Sequence, residues 1–129
     1  MQIISLNGEY LLRYADEQKN PCGLDGMRAI PSFVPGNVEI DLMNAGILPD
    51  IFFGNNVKLL RPYEFYRWRY EKSFLASKLK EGQRAFLHFA GVDCIATYEL
   101  NGKVFAASDN ALIDHRFDVT NLLSEGENQ

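Results

Sequence analysis

The second half of the chain is dominated by a period of two. In residues 68–75, Arg69, Glu71 and Ser73 alternate with Trp68, Tyr70 and Phe74, the mark of a strand with one face on a core; Lys72 breaks the alternation. Residues 84–90 are apolar on both parities, with Ala85, Leu87 and Phe89 against Phe86 and Ala90, which predicts a central strand covered on both faces. Residues 95–100 and 103–107 flank Asn101-Gly102, a pair that accepts the left-handed backbone angles of a type I′ turn, so the spacing predicts a hairpin. Ile113, His115, Phe117 and Val119 then alternate with Asp114, Arg116 and Asp118 as one more half-buried strand.

The first half is less regular. Residues 3–14 mix β-branched and aromatic side chains around Asn7-Gly8, predicting a short strand, a turn and a second strand. Residues 16–26 are polar and hold Pro21, Gly23 and Gly26, a surface loop. Residues 29–34 can extend, with Pro31 confining them to a sheet edge or bulge. Asn37 is placed to cap a helix of about two turns, in which Val38, Leu42 and Ala45 return at helical spacing before Gly46 and Pro49 stop it. Residues 47–66 carry several large aromatics without a clean period, and read as a long ordered loop, a feature that is often functional.

Short strands at close spacing with one helix predict an all-β, antiparallel sandwich. A length of 129 residues fits one domain, since single cores commonly span ~100 to 150 residues. With 47% hydrophobic and 23% charged residues a real core can form, and a net charge of −4 leaves no cationic surface for nucleic acid or anionic lipid. No run approaches a membrane span and no secretory signal opens the chain, so a soluble, cytoplasmic protein is the favoured expectation. Cys22 and Cys94 fit neither metal-ligand spacing nor a disulfide framework, and read as buried or half-buried free thiols.

A set of motifs in register carries a resemblance. Val34-Pro35-Gly36-Asn37-Val38, Asp41-Leu42, Ala45-Gly46-Ile47-Leu48-Pro49-Asp50 and Phe52-Phe53-Gly54-Asn55-Asn56 are followed by Trp68-x-Tyr70 and Phe74. Leu87-x-Phe89-x-Gly91-Val92-Asp93, Leu100-Asn101-Gly102-Lys103, Asn110, Phe117-Asp118-Val119-Thr120, Leu122-Leu123 and Gly126-x-Asn128 complete the series, with Leu6-Asn7-Gly8-Glu9 near the start. Together they resemble the amino-terminal domain of family 2 glycoside hydrolases, most closely the β-mannosidase branch. Cys94, where a small hydroxyl residue is common, and Tyr66 depart from that pattern.

The resemblance implies a galactose-binding-like jelly roll over residues 1–129, other domains of a parent hydrolase as partners, and a retaining glycosidase whose two catalytic Glu residues lie in a downstream (β/α)₈ barrel. It implies no catalytic residue, metal or cofactor in this chain. The branch's Gly-Trp-Asp-Trp motif is missing, since Trp68 is the single tryptophan. A jelly roll needs about eight strands, whereas the pattern supplies about six or seven. The domain is therefore expected to lack its last strands and to self-associate through an unpaired sheet edge.

Phe52, Phe53, Asn55, Asn56 and Arg61 are the candidates for contact with carbohydrate, because aromatic rings meet the CH face of a pyranose while amides and guanidinium meet its hydroxyls. The competing, favoured reading is that they fasten the loop or pack on a neighbouring domain. A free-standing carbohydrate-binding module is the alternative function. Asp93, Asn101, Gly102 and Trp68 read as structural, Asp93 as a cap of local amides, and the strand histidines His88 and His115 as packed or surface side chains.

Overall fold

The computed structural model describes residues 1–19 and 22–129; the expected loop proline, Pro21, lies outside the described residues. Nine strands, one α-helix and two 3₁₀ segments are present among the described residues. They fall into two compact units, Met1–Lys72 and Ser73–Gln129.

In the first unit, β1 (Gly8–Asp16) lies between β2 (Arg28–Val34) and β3 (Tyr66–Glu71), all antiparallel, with Leu12 opposite both Ile30 and Tyr70. Pro31 occupies an edge strand, the place in a sheet where a residue without an N–H is tolerated. Helix α1 (Val38–Asn44) begins as expected, Asn37 Oδ1 accepting the Ile40 N–H at 3.0 Å, and the Gly46 N–H closes its end on the Met43 carbonyl at 2.9 Å. A Cβ at Gly36 would sit 2.2 Å from the Phe33 carbonyl oxygen, so the step from β2 to α1 needs glycine. Leu12, Tyr14, Ile30, Leu42, Leu48 and Ile51 form the buried core, with Trp68, Tyr63 and Tyr66 packed on it.

In the second unit β4 (Phe74–Ala76) pairs with β9 (Gly126–Asn128), β5 (Phe86–Phe89) with β8 (His115–Asp118), and β6 (Ala96–Leu100) with β7 (Lys103–Ser108). The β6–β7 hairpin turns through Asn101 and Gly102 at φ 52° and 78°, as their sequence demands. Phe89, Tyr98, Phe105 and Phe117 make a ring cluster with centroids 4.6 to 6.3 Å apart.

Several expectations are corrected. The opening strand-turn-strand is one strand: Ile3 and Ile4 precede β1 and are exposed, because β1 takes both of its partners from elsewhere in the chain. The strand over residues 68–75 is two, β3 and β4, parted at Lys72, whose ammonium instead bonds the Glu9 carbonyl at 2.9 Å and lies over the Tyr10 ring. On β3 Tyr70 is exposed while Arg69 and Glu71 are half-buried, because Glu71 accepts from both Arg69 (2.8 Å) and Arg13 (3.2 Å), and so bridges two arginines paired across β1 and β3.

β5 is not covered on both faces: Phe86 is 40% exposed, and its ring is capped by the Arg84 and Arg116 guanidinium groups. Residues 56–65 are 3₁₀ helix rather than irregular loop. Cys94 is exposed, and only Cys22 is half-buried; both are free. No helix among the described residues is long and apolar enough to cross a membrane.

Candidate functional site

Residues 50–65 are built to hold their own shape. Asp50 Oδ1 accepts the Phe52 N–H at 2.9 Å, and the Asn56 amide donates back to the Asp50 carbonyl at 2.8 Å. The Phe53 and Asn56 backbone N–H groups add bonds to the carbonyls of Asp50 and Phe53. This closed turn leaves Phe52 and Phe53 pointing away from the core, 78% and 75% exposed, while Ile51, between Asp50 and Phe52, is buried. Asn55 precedes the 3₁₀ segment Asn56–Phe65, with its carbonyl accepting from Lys58 and its side chain exposed; Arg61 is exposed farther along the same segment.

Of the five carbohydrate candidates, four thus share one turn. Asn56 has its amide engaged in holding that turn, whereas Phe52 and Phe53 are displayed. Val57, Leu59 and Phe65 extend the apolar display, each between 46% and 57% exposed.

Of the residues read as structural, Trp68, Asn101 and Gly102 fall at joints, whereas the expected capping of local amides by Asp93 is not found among the hydrogen bonds of the described residues. Trp68 is half-buried against Tyr14 (5.4 Å), Tyr66 (5.9 Å) and Tyr63 (6.2 Å). Asn101 does more than turn the hairpin: its amide donates to the Leu122 carbonyl and to Asn128 Oδ1, and its Oδ1 accepts the Gln129 N–H. Asp93 is exposed in the link from β5 to β6. His88 pairs with Asp114 at 2.9 Å, and His115 stacks on Phe117 and bonds the Asn110 carbonyl.

Sequence reasoning passed over two polar sites. Asn128 is 1% exposed and satisfied throughout, bonding Ser124, Gly126 and Asn101. Its place in Gly126-x-Asn128 was the available signal. Ser32 donates to the buried carboxylate of Asp41 at 2.7 Å, joining β2 to α1, and no local pattern in the sequence marks that pair.

Tyr70 keeps 39% of its surface exposed, yet partial desolvation of its hydroxyl, then the charges of Asp41 and Glu39, push that group up to about 12. The Asp118 carboxyl is held down at about 2 by hydrogen bonds from the Thr120 side chain and backbone and from Arg84. Among the described residues no group of three or more His, Cys, Asp or Glu side chains could hold a metal ion.

Comparison with known proteins decides the family. Residues 6–129 match the family model described as glycosyl hydrolase 2 galactose-binding domain-like. The chain belongs to that family. β-Mannosidase B of Thermothelomyces thermophilus is 34% identical over 128 residues, covering 98% of this chain, and a probable β-mannosidase of Caenorhabditis elegans is 34% identical over 95 residues. The crystal structure of β-D-mannosidase from Dictyoglomus thermophilum superposes with a TM-score of 0.80 at 33% identity over 99% of this chain. This chain spans 14% of the fungal relative and 15% of the crystallised one.

The galactose-binding-like, all-β fold of a family 2 amino-terminal domain is thereby established, with β-mannosidases as the relatives. Within it, the motifs that carried the resemblance fall largely on caps and turns. Asn37 caps α1, Asp50 closes its turn, Asn110 Oδ1 accepts the Leu112 N–H, Asp118 Oδ1 accepts the Thr120 N–H, and Asn101 and Asn128 bond each other. These residues specify backbone geometry.

Proposed function

We propose that this chain is a non-catalytic part of the amino-terminal β-sandwich of a β-mannosidase-like exo-glycosidase, packed against downstream domains that hold the catalytic carboxylates. The observation that carries this reading is the pairing of two coverages: 98% of this chain aligns with only 14% of a β-mannosidase. A domain in that position works by contact, and Phe52, Phe53, Val57, Leu59 and Phe65 supply a contiguous stretch of sequence rich in exposed apolar groups. Exposed apolar clusters on an ordered segment mark interaction surfaces, and interfaces between domains of one chain resemble protein–protein interfaces. In this reading the Phe52–Phe53 turn docks on a neighbouring domain and borders its sugar pocket.

The test is the gene beyond residue 129, together with its full-length product. Immunoglobulin-like and barrel-forming sequence should follow. Phe52→Asp with Phe53→Asp in that product should loosen the docked domain, seen as faster limited proteolysis and a lower kcat/KM on an aryl β-mannoside. A stop codon directly after Gln129, or an unaltered full-length enzyme, overturns the reading.

The displayed rings also support a second reading, a free-standing carbohydrate-binding module. Calorimetric titration with mannosides, galactosides and glucuronides separates the two, since the module requires binding heat that vanishes in the Phe52→Asp, Phe53→Asp variant. Self-association through a sheet edge has its own check: sedimentation should show a concentration-dependent dimer, and a monomer at every concentration removes it.

A further inference from the structure

A cleft of about 450 Å³ opens where β2 meets α1, lined by Tyr10, Pro31 and Ser32 on the sheet and by Asp41 and Asn44 on the helix. Asp41 is 4% exposed, and only one of its carboxylate oxygens is bonded: Oδ2 accepts the Ser32 hydroxyl at 2.7 Å, whereas Oδ1 takes no hydrogen bond among the described residues. Oδ1 is not sealed from solvent either, which leaves it open to the cleft that its residue lines. We propose that this cleft binds a primary alkylammonium group, whose N–H donors meet Asp41 Oδ1 and the Asn44 side-chain carbonyl. The proposal goes beyond the docking role given to the chain above and does not depend on it.

A carboxylate taken out of water is costly unless a cation or several donors stand against it. Among the described residues no ion pair includes Asp41, and Ser32 gives its carboxylate one neutral hydrogen bond. Lys72, the cation that lies over the Tyr10 ring, directs its ammonium to the Glu9 carbonyl at 2.9 Å and pairs with no carboxylate. The Asp41 charge therefore meets the cleft without a counter-ion, and a ligand that brings one relieves the cost of its burial.

The geometry also selects among cations. Asp41 and Asn44 are three residues apart on α1, so their side chains are neighbours on one side of it, and the Asn44 amide makes no hydrogen bond among the described residues. An ammonium carries three N–H donors that can reach separate acceptors. Guanidinium pairs best through two parallel bonds to both oxygens of one carboxylate, and Oδ2 is already held by Ser32. A quaternary ammonium has no donor to give. Divalent metal ions take about six or more oxygen ligands, and no group of three or more His, Cys, Asp or Glu among the described residues could hold one. Pro31 and Tyr10 offer apolar surface to the alkyl chain.

The 129-residue chain, isotope-labelled, is titrated with n-butylammonium chloride at constant ionic strength while its backbone amide shifts are followed by NMR. The expected result is saturable shifts centred on Ser32 and residues 41–44. Asp41→Asn should weaken binding roughly tenfold, in line with loss of a hydrogen bond to a charged group, and Asn44→Ala roughly threefold. On the unaltered chain, n-butylguanidinium and n-butyltrimethylammonium should bind more weakly than n-butylammonium, and n-butanol should give no saturable shift; these arms need no variant to fold. Nα-acetyl-lysine N-methylamide separates two sources of the group: tighter binding than n-butylammonium supports a lysine side chain of another polypeptide, weaker binding a free amine. No saturable shift with n-butylammonium, shifts centred elsewhere, equal binding of any of the three analogues, or undiminished affinity in a folded Asp41→Asn chain would each overturn the proposal.

Discussion

In Met1–Lys72 three strands and a helix converge on one set of apolar side chains, whereas in Ser73–Gln129 the six strands pair only two by two. The first unit therefore buries Leu12 and Leu42 completely and keeps its exposed apolar groups largely on segments outside the sheet. The second relies on two other devices, a cluster of cross-strand rings around Tyr98 and the Asn101–Asn128 amide network. It leaves Leu75, Ile95, Val104, Leu112 and Ile113 at least half exposed. Two-stranded ribbons are marginal by themselves, so polar joints that fix where one ribbon meets the next carry more of the organisation there.

That contrast can be broken most sharply by the same truncation in each unit. Leu42→Ala and Leu100→Ala remove side chains that are 0% and 1% exposed, and each should cost about 2 to 5 kcal/mol. Leu42, walled by sheet and helix, belongs near the top of that range and Leu100, among ribbons better able to close on a void, near the bottom. Denaturant unfolding checks the order, and equal losses would remove the distinction.

Asn128→Ala comes next. It strands the partners of a side chain that is 1% exposed, so about 1 to 3 kcal/mol should be lost, with amide-exchange protection falling in residues 101–103 and 124–129 and holding in β1.

Smaller still is the pH response. Asp118 titrates at about 2 instead of 3.8. A carboxyl lowered by folding contributes stability above its unfolded pKa of about 4 and loses that contribution as the pH falls toward the folded value. Thr120→Val removes the leading hydrogen bond, and the Asp118 carboxyl should then titrate at a higher pH by NMR.

The smallest effect belongs to the turn. Phe52→Ser or Phe53→Ser should change the stability of the chain by no more than about 0.5 kcal/mol, since both rings are more than 70% exposed. A larger loss would mean that the rings hold the turn together, a task assigned here to Asp50 and Asn56.

Features set by local chemistry were legible in the sequence. The Asn37 cap, the Asn101-Gly102 hairpin and the edge position of Pro31 each follow from what one or two residues do to their own backbone. Features that depend on remote partners were not. Arg69 and Glu71 look solvent-facing until Arg13 is placed across from them, and Phe86 looks buried until β8 alone, among the described residues, is found paired with β5. The 3₁₀ segment escaped because Val57, Leu59 and Phe65 are exposed and only Leu60 and Tyr63 turn toward the core, a single three-residue spacing too short to read as a period. Likewise, the candidate turn was located by its aromatics, but the engagement of Asn56 in holding it depends on Asp50, six residues away.

In the proposed function, glycoside chemistry belongs to residues outside this polypeptide. Incubating the purified chain with an aryl β-mannoside and following aglycone release tests that assignment directly. The expected rate is that of the buffer alone. Turnover that disappears when one of the chain's own carboxylates, such as Glu39 or Glu64, is replaced by its amide would contradict it.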